Sequence, residues 1–292
     1  MINYIELVVN NPEYFKQFSC KGMLFLNYDC PVKAKKLAAW AEHNYIYYVL
    51  TGRKTLHTID NSITLTAGSI AFIKKGACIV EQFFDEPFCI VVFIMPDTFI
   101  QTFLQDYAND EKPSGMATPP VISIQDDIMT RNFYQSIIPY FAATDNVPED
   151  ILELKFKELL LSILHNPANE QLHQHLLSIK GQTATSIQSI MDTNYAYNLN
   201  IEAYARMTNR SVSSFKRDFQ AIYKTTPGRW LMEKKLNHAR KLLVQTNDAV
   251  ASIAFDSGFE NTAHFSRIFK QKTGATPLEY RKRASERAVM AI

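Results

Sequence analysis

Apolar and polar residues follow different periods in different parts of the chain. Between residues 23 and 95, apolar residues fall in short runs rich in β-branched and aromatic side chains, separated by turn residues such as Gly52 and Gly68. The runs predict strands at residues 23–28, 45–50, 54–59, 69–73, 78–84 and 88–95. Strands of this length and spacing are typical of a small β-sandwich or β-barrel.

After Pro96 the apolar residues recur at helical spacing, which predicts helices over residues 97–107, 127–141 and 150–165. The last helix carries an apolar stripe with spacings of four, three and four residues, formed by Leu152, Phe156, Leu159 and Ile163. One helix presents such a stripe to another, so we interpret it as a dimerisation surface. The alternative, a helix that covers the β-rich domain, stays open. The polar stretch 165–182 is predicted to be the hinge before the last third of the chain.

The last third of the chain contains an internal repeat. An offset of 50 residues aligns Phe215 with Phe265, and it also aligns two Thr-Pro pairs, at 226–227 and 276–277, that cap and open helices. Each copy is predicted to hold a short helix, a tight connection and a longer helix. The short helices are residues 200–206 and 249–256, and the longer ones are 212–223 and 262–272. This is a helix-turn-helix motif used twice.

The turns and the segment between the copies fit this interpretation. The second turn contains Gly258, and the first contains Asn209, a residue type that often replaces glycine in a left-handed backbone. Residues 227–245 predict one helix, whose roughly 18 residues span about 27 Å. A rod of that length can hold two recognition helices near the roughly 34 Å repeat of the major groove. One chain could therefore read two grooves.

Each longer helix has a phenylalanine face and a polar face. The polar faces carry Ser213, Ser214, Lys216, Arg217 and Gln220 in the first copy, and Asn261, His264, Ser266, Arg267 and Lys270 in the second. Such side chains hydrogen-bond base edges and phosphates, although a solvated helix face explains any single Lys or Ser equally well. Because Arg217 and Arg267 hold equivalent places in a duplicated motif, we predict that both contact DNA.

Charge separates the two parts of the chain. The total is +2, but residues 183–292 hold 17 Lys and Arg against nine Asp and Glu, so this third carries +8 and the remainder carries −6. Phosphate contacts need basic side chains gathered in one place, so the asymmetry favours a nucleic-acid-binding module attached to a separate domain. A basic surface without a partner is the alternative.

Several functional classes are disfavoured. The longest apolar run has eight residues, too few to span a membrane, and no secretory signal is recognisable, so we expect a cytoplasmic protein without membrane contact. The four cysteines form no C-x-x-C pair, and no phosphate-binding glycine motif or catalytic set is found. His43 and His57 stand alone, and His173 and His175 are two apart in a helical segment. We therefore expect no metal, no cofactor and no enzymatic activity.

With these residues in view, the last third resembles the AraC/XylS family of bacterial transcription regulators. The resemblance covers about residues 185–285 and depends on Ile253-Ala254, Gly258-Phe259, the run from His264 to Lys270, and the run from Gly274 to Arg281. It implies binding to double-stranded DNA, action with RNA polymerase as an activator or a repressor, and base contacts through Ser213, Lys216 and Arg217 in the first motif. In the second motif it implies base contacts through Ala263, His264, Ser266 and Arg267. Ala263 offers only a methyl group.

The N-terminal part resembles the cupin-like sensory domain of many family members, through His43-x-Tyr45, Val49-Leu50-x-Gly52 and residues 65–69. Six aromatic residues could line a ligand cavity or form plain core, namely Trp40, Tyr45, Tyr47, Phe72, Phe83 and Phe93. The resemblance implies a small-molecule or protein effector and a homodimer.

The predicted fold is a two-domain α+β protein. Residues 1–170 form a cupin-like β-barrel with a helical appendage that senses a signal and self-associates. Residues 183–292 form an all-α domain with two helix-turn-helix motifs joined by a long helix. The predicted function is sequence-specific DNA binding in transcriptional regulation. Two alternatives are a small-molecule-binding protein or enzyme with an accessory nucleic-acid domain, and an N-terminal domain that docks another protein.

Overall fold

The computed structural model describes the chain except for residues 30–33, 60, 109, 143–146, 181–184 and 291–292. The chain divides into two compact units, Met1–Thr185 and Ser186–Ile292. The first is β-rich with added helices and the second is helical, which confirms the predicted two-domain α+β class. No helix in the described part is long and apolar enough to cross a membrane.

The first unit contains two sheets. Their strands are β1 (Ile2–Asn3), β2 (Lys16–Cys20), β3 (Met23–Asp29), β4 (Lys36–Ala41), β5 (Asn44–Thr51), β6 (Arg53–His57), β7 (Ser62–Thr66), β8 (Ile70–Ile73), β9 (Gly76–Gln82), β10 (Cys89–Met95) and β11 (Val121–Ile124). One sheet has the order β1-β4-β9-β6-β7 and the other β11-β8-β5-β10-β3-β2, and all pairs are antiparallel except β1 with β4. The two sheets remain separate in the described residues, so the predicted barrel is an open two-sheet arrangement.

Strand β10 explains why the longest apolar run of the sequence lies here. It pairs with β3 on one side and β5 on the other, so all its backbone edges are used. Ile90, Val92 and Ile94 point into one core cluster. Val91, Phe93 and Met95 point into the other, because successive side chains of a strand face opposite ways. A strand buried on both faces has no polar face, and its sequence is continuous apolar.

In the part of the chain that the structure describes, five helices complete the first unit: α1 (Tyr4–Val9), α2 (Asp97–Tyr107), α3 (Ile128–Ile137), α4 (Glu149–Leu164) and α5 (Glu170–Ile179). A 3₁₀ turn extends α3 over Ile138–Ala142, and another, Pro167–Asn169, precedes α5. The predicted helices at 97–107, 127–141 and 150–165 correspond to α2, to α3 with its 3₁₀ extension, and to α4. Helices α2 to α5 supply much of the core cluster on the Phe93 side of β10.

The apolar stripe of α4, which we predicted to be a dimerisation surface, is buried inside its own unit. Leu152, Phe156, Leu159 and Ile163 of α4 are all at most 1% exposed and belong to the core of their own unit. The Phe156 ring centroid lies 4.0 Å from that of Phe25 on β3 and 5.8 Å from that of Phe93. Helical periodicity shows that a face is buried but does not identify what covers it, and here the β-sheet does.

The predicted hinge at residues 165–182 also differs from the structure, although residues 181 and 182 lie outside the described residues. Most of the segment is α5, whose Leu172, Leu176 and Leu177 are buried in the core. Asn169, which precedes α5, is buried and donates from Nδ2 to the backbone oxygens of Gln125 and Ile163. The first unit therefore continues past residue 170 to Thr185.

A buried polar network lies where the first unit ends. Lys75 Nζ lies 2.5 Å from Asp97 Oδ2, at the start of α2, and both side chains are less than a tenth exposed. Asn44 joins them, donating from Nδ2 to Asp97 Oδ1 at 2.9 Å and accepting the Lys75 backbone N–H at 3.0 Å. Lys75 Nζ also donates to Thr185 Oγ1, which in turn donates to Asp97 Oδ2 at 3.1 Å. The end of the first unit is therefore tied to a buried ion pair.

The second unit consists of seven helices in the described residues: α6 (Ile187–Asn194), α7 (Ile201–Met207), α8 (Val212–Tyr223), α9 (Pro227–Gln245), α10 (Val250–Asp256), α11 (Thr262–Thr273) and α12 (Pro277–Met290). The predicted helices 212–223 and 227–245 match α8 and α9. Thr226 caps α9 by accepting the Arg229 N–H, and Pro227 occupies the first turn, as the Thr-Pro pattern predicts. With 19 residues, α9 is about 28 Å long.

Candidate nucleic-acid interface

Two helix-turn-helix motifs, α7–α8 and α10–α11, repeat the same local structure. Thr208 and Ser257 follow α7 and α10 directly, and both are fully buried. The next residues, Asn209 and Gly258, have φ of +55° and +81°. Both turns therefore use the left-handed backbone that the sequence predicts. The first turn is one residue shorter than the second.

The first recognition helix, α8, buries one face and exposes the other. Phe215 and Phe219 are fully buried, and their ring centroids lie 6.4 Å from Tyr204 and 6.0 Å from Trp230, respectively. On the opposite face the predicted contact residues Ser213, Lys216 and Arg217 are exposed. Ser211 caps the helix by accepting the Ser214 N–H.

Arg217 is an exposed cation of this face. Its side chain is 77% exposed, its Nε donates to Asp218 Oδ1 at 3.2 Å, and its Nη2 donates to Ser214 Oγ at 3.3 Å. An exposed ion pair of this kind is worth at most about 1 kcal/mol, so it holds Arg217 only weakly. The guanidinium can leave Asp218 for a stronger anionic or base-edge acceptor.

The second recognition helix, α11, has the same division. Phe265 and Phe269 are fully buried against Phe259 and Tyr280, with ring centroids 5.0 Å and 5.4 Å apart in the two contacts. The predicted contact residues lie on the other side: Ala263, His264 and Arg267 are exposed and Ser266 is half-buried. Asn261 caps the helix by accepting the N–H groups of Ala263 and His264.

Sequence reasoning missed Arg210, which braces the first recognition helix. Its Nε donates to Asp218 Oδ2 at 3.2 Å, and its Nη1 donates to the Thr208 carbonyl oxygen at 2.9 Å. The hydrogen bond from Arg210 lowers the pKa of the Asp218 carboxyl, and the neighbouring Arg217 lowers it further. Arg210 thus fixes the turn to α8. A single basic residue in a turn gives no periodic signal, so only the pair Arg210 and Asp218 in space identifies this role.

Within its described residues, the β-rich unit brings together neither a group of metal-ligating side chains nor the aromatic set considered from the sequence. No group of three or more potential metal-ligating side chains occurs among the described residues. Tyr45 and Tyr47 belong to one core cluster, and Phe72 and Phe93 belong to the other, on the opposite face of the six-stranded sheet. These aromatics therefore do not line one cavity and are core. His173 Nε2 lies 3.0 Å from Glu111 Oε2, and His175 packs edge-on against Phe72.

Two helix-turn-helix motifs on one continuous helix, each with an exposed polar recognition helix, define a DNA-binding protein with a separate β-rich domain. Two family matches agree. Residues 204–283 match the family described as a helix-turn-helix domain, and residues 44–175 match the ExsA N-terminal regulatory domain. The chain belongs to the AraC/XylS family of transcriptional regulators, as the sequence resemblance predicted. It is a sequence-specific DNA-binding regulator.

Several characterised proteins are similar over most of this chain. The virulence regulon transcriptional activator VirF of Yersinia enterocolitica is 23% identical over 239 residues, which cover 81% of this chain and 88% of VirF. The transcriptional regulator ExsA of Pseudomonas aeruginosa is 21% identical over 244 residues, covering 82% and 87%. Among solved structures, a ToxT variant from Vibrio cholerae is 15% identical, covers 89% of this chain and 96% of its own, and has a TM-score of 0.43.

Proposed function

We propose that the protein is a transcriptional activator that reads two adjacent half-sites with one copy of its second unit. Ser213, Lys216 and Arg217 contact the first half-site. Ala263, His264, Ser266 and Arg267 contact the second. The observation that carries the proposal is the pair of exposed polar faces on α8 and α11, joined by the continuous helix α9.

The side-chain chemistry assigns different roles within each face. Arg217 and Arg267 can each donate two hydrogen bonds to the O6 and N7 atoms of a guanine. The hydroxyls of Ser213 and Ser266 bind either bases or phosphates, and the Ala263 methyl offers an apolar contact to a thymine methyl group. The second half-site is therefore read mainly through Arg267 and His264.

The first unit is the regulatory part of the proposal. Its match to a regulatory domain supports a role in which an effector, a small molecule or a protein, changes how the second unit is presented to DNA. We propose that two copies of the chain associate and occupy neighbouring sites. Paired presentation raises the effective local concentration of the second recognition unit. Activation then follows from contact of the bound protein with RNA polymerase, inside the cytoplasm.

Arginine substitutions test the recognition helices directly. The full chain first selects duplexes from a random pool, and the affinities of Arg217→Ala and Arg267→Ala are then compared on the selected duplex and on unrelated DNA at one salt concentration. Each variant should lose about 1–3 kcal/mol on the selected duplex and much less on unrelated DNA. Lys282→Ala, which removes the same charge from α12, is the matched control. Equal losses of affinity on both DNAs would show that the arginines contact phosphates rather than bases.

Two further measurements test activation and pairing. Transcription by purified bacterial RNA polymerase, from a promoter that carries the selected duplex, should increase when the protein is added. A decrease would make it a repressor. Sedimentation equilibrium of the full chain should give a dimer at micromolar concentration, and a monomer there and on the selected duplex would refute pairing.

A further inference from the structure

We propose that residues 195–198, in the loop between α6 and α7, form a positioning brace that sets the spacing between the two recognition helices. The brace touches the turn of the second helix-turn-helix motif and is itself anchored in the first. It thereby determines which separation of half-sites the protein accepts. This inference rests on the proposed reading of two half-sites.

Backbone contact at Gly258 is the first observation. A Cβ atom built on Gly258 would lie 2.4 Å from the Ala196 carbonyl oxygen and 2.9 Å from the Ala196 carbonyl carbon. Two backbone segments 62 residues apart therefore touch with no room for a side chain. Glycine serves two purposes here, the left-handed turn and this close approach. Ala196 and Tyr197 are buried at the contact.

Polar contacts hold the same junction on both sides. Asn198 Nδ2 donates to Glu260 Oε1, two residues beyond Gly258 in the second turn. Lys235, on α9, donates from Nζ to the Gly258 carbonyl oxygen at 2.9 Å. Burial lowers the pKa of the Lys235 ammonium, and the Glu260 carboxylate opposes that shift. The partly buried Lys235 ammonium binds the Gly258 carbonyl oxygen, and this contact orients the turn.

The loop is also fixed to the first motif. Tyr204, in α7, donates from its hydroxyl to the Asn194 carbonyl oxygen at 2.9 Å, and its ring stacks on Phe215 of the first recognition helix. Tyr195, the first loop residue, lies with its hydroxyl 3.3 Å from His238 Nδ1 on α9. A continuous path of contacts therefore runs from Phe215 through Tyr204 and the loop to Gly258.

Helix α9 alone does not account for the rigidity that this path provides. The second motif packs on α9 through Leu236, Ala239 and Leu243, and apolar contacts of this kind are non-directional, whereas the hydrogen bonds of the brace define an orientation. Changing the half-site separation by one base pair requires a rotation of about 34° and a shift of about 3.4 Å along the duplex. Such a rotation would separate Gly258 from Ala196. The brace opposes it.

Half-site spacing is the readout that separates positioning from general stability. The full chain selects a bipartite duplex from a random pool, and affinity is then measured on that duplex and on versions with one base pair inserted or deleted between its halves. The wild type should bind the altered duplexes about tenfold or more weakly. The double variant Asn198→Ala with Lys235→Met should bind all three within about threefold of one another.

Two controls keep the outcome interpretable. Lys241→Met removes an exposed lysine from the same helix and should keep the wild-type preference for the selected duplex over the two altered ones. The brace proposal is overturned if the double variant keeps that preference, or if it loses affinity equally on all three duplexes. If the wild type selects no bipartite sequence, the two-half-site proposal fails instead.

A distance measurement tests the brace without any operator. Nitroxide labels at Gln220→Cys and Lys270→Cys, equivalent exposed positions of α8 and α11, report the separation of the recognition helices in the full chain. The labelled wild-type background, which contains only native cysteines, supplies the baseline. The distance distribution should be broader in the Asn198→Ala, Lys235→Met background, and an unchanged distribution would refute the proposal.

Discussion

Asn209 and Gly258 lie at the same point of their two motifs, each two residues beyond the first helix, and both have a left-handed backbone. Their surroundings differ. A Cβ atom at Gly258 would overlap the Ala196 carbonyl oxygen, whereas the Asn209 side chain is exposed to solvent. The repeated motif therefore has one turn that tolerates a side chain and one that does not.

Substitution at these two turns should have unequal effects on stability. Gly258→Ala combines left-handed strain of about 1–2 kcal/mol with a steric overlap, so we expect a loss of at least about 2 kcal/mol. Asn209→Gly should change stability by less than about 1 kcal/mol, because strain relief and added chain entropy oppose each other. Urea unfolding in a Trp40→Phe background, where Trp230 reports on the second unit, measures both. Equal effects would contradict the contact at Ala196.

The core position of the α4 stripe predicts a contrast within one helix. Leu159→Ala should destabilise the first unit by about 2–5 kcal/mol, because the side chain is fully buried beneath the sheet. Leu154→Ala, at a position 61% exposed on the same helix, should cost less than about 0.5 kcal/mol. Urea unfolding monitored by Trp40 fluorescence, in a Trp230→Phe background, measures the stability of the first unit in both variants. A Leu159→Ala variant that stays stable but dissociates would restore the dimerisation interpretation.

The buried ion pair at the end of the first unit predicts a second contrast. Lys75→Met leaves the Asp97 carboxylate buried without its cation, which should cost about 3–5 kcal/mol. Thr185→Val keeps the ion pair and removes one hydroxyl, so we expect a loss of about 1 kcal/mol. The same Trp40-monitored unfolding compares the two variants. If Thr185→Val lost as much unfolding free energy as Lys75→Met, the hydroxyl rather than the ion pair would dominate the network.

The lowered pKa of His175 should make the stability of the first unit depend on pH. Burial, together with the neighbouring ammonium groups of Lys74 and Lys75, lowers the pKa of the His175 imidazole from 6.5 to about 3. Below pH 6.5 the unfolded chain binds a proton at this residue that the folded chain does not, so stability falls as pH decreases toward 3. The slope from this residue is about 1.4 kcal/mol per pH unit. His175→Gln should remove that slope between pH 6.5 and 5, and an unchanged slope would contradict the assignment.

The regular elements were predictable because their periodicity is local. Every strand predicted from an apolar run is present, including the doubly buried β10, and the helices α2, α4, α8 and α9 begin and end within one residue of the prediction. Four of the five strands that were missed, β1, β2, β7 and β11, lie at the edges of the two sheets. An edge strand pairs on one side and is covered less, so its sequence needs fewer apolar residues and gives a weaker signal.

The sequence by itself determined the duplicated motif, its capped helices, its left-handed turns and the polar faces at Arg217 and Arg267. Each of these depends on residues within one or two helical turns of one another, where spacing fixes geometry. Tertiary structure alone decided that the Leu159 stripe covers a sheet, that Thr185 joins the Lys75–Asp97 pair, and that Gly258 touches Ala196. Burial of apolar surface is non-directional, so periodicity shows that a face is covered without naming its partner. Contacts between distant residues exist only after the whole chain has packed.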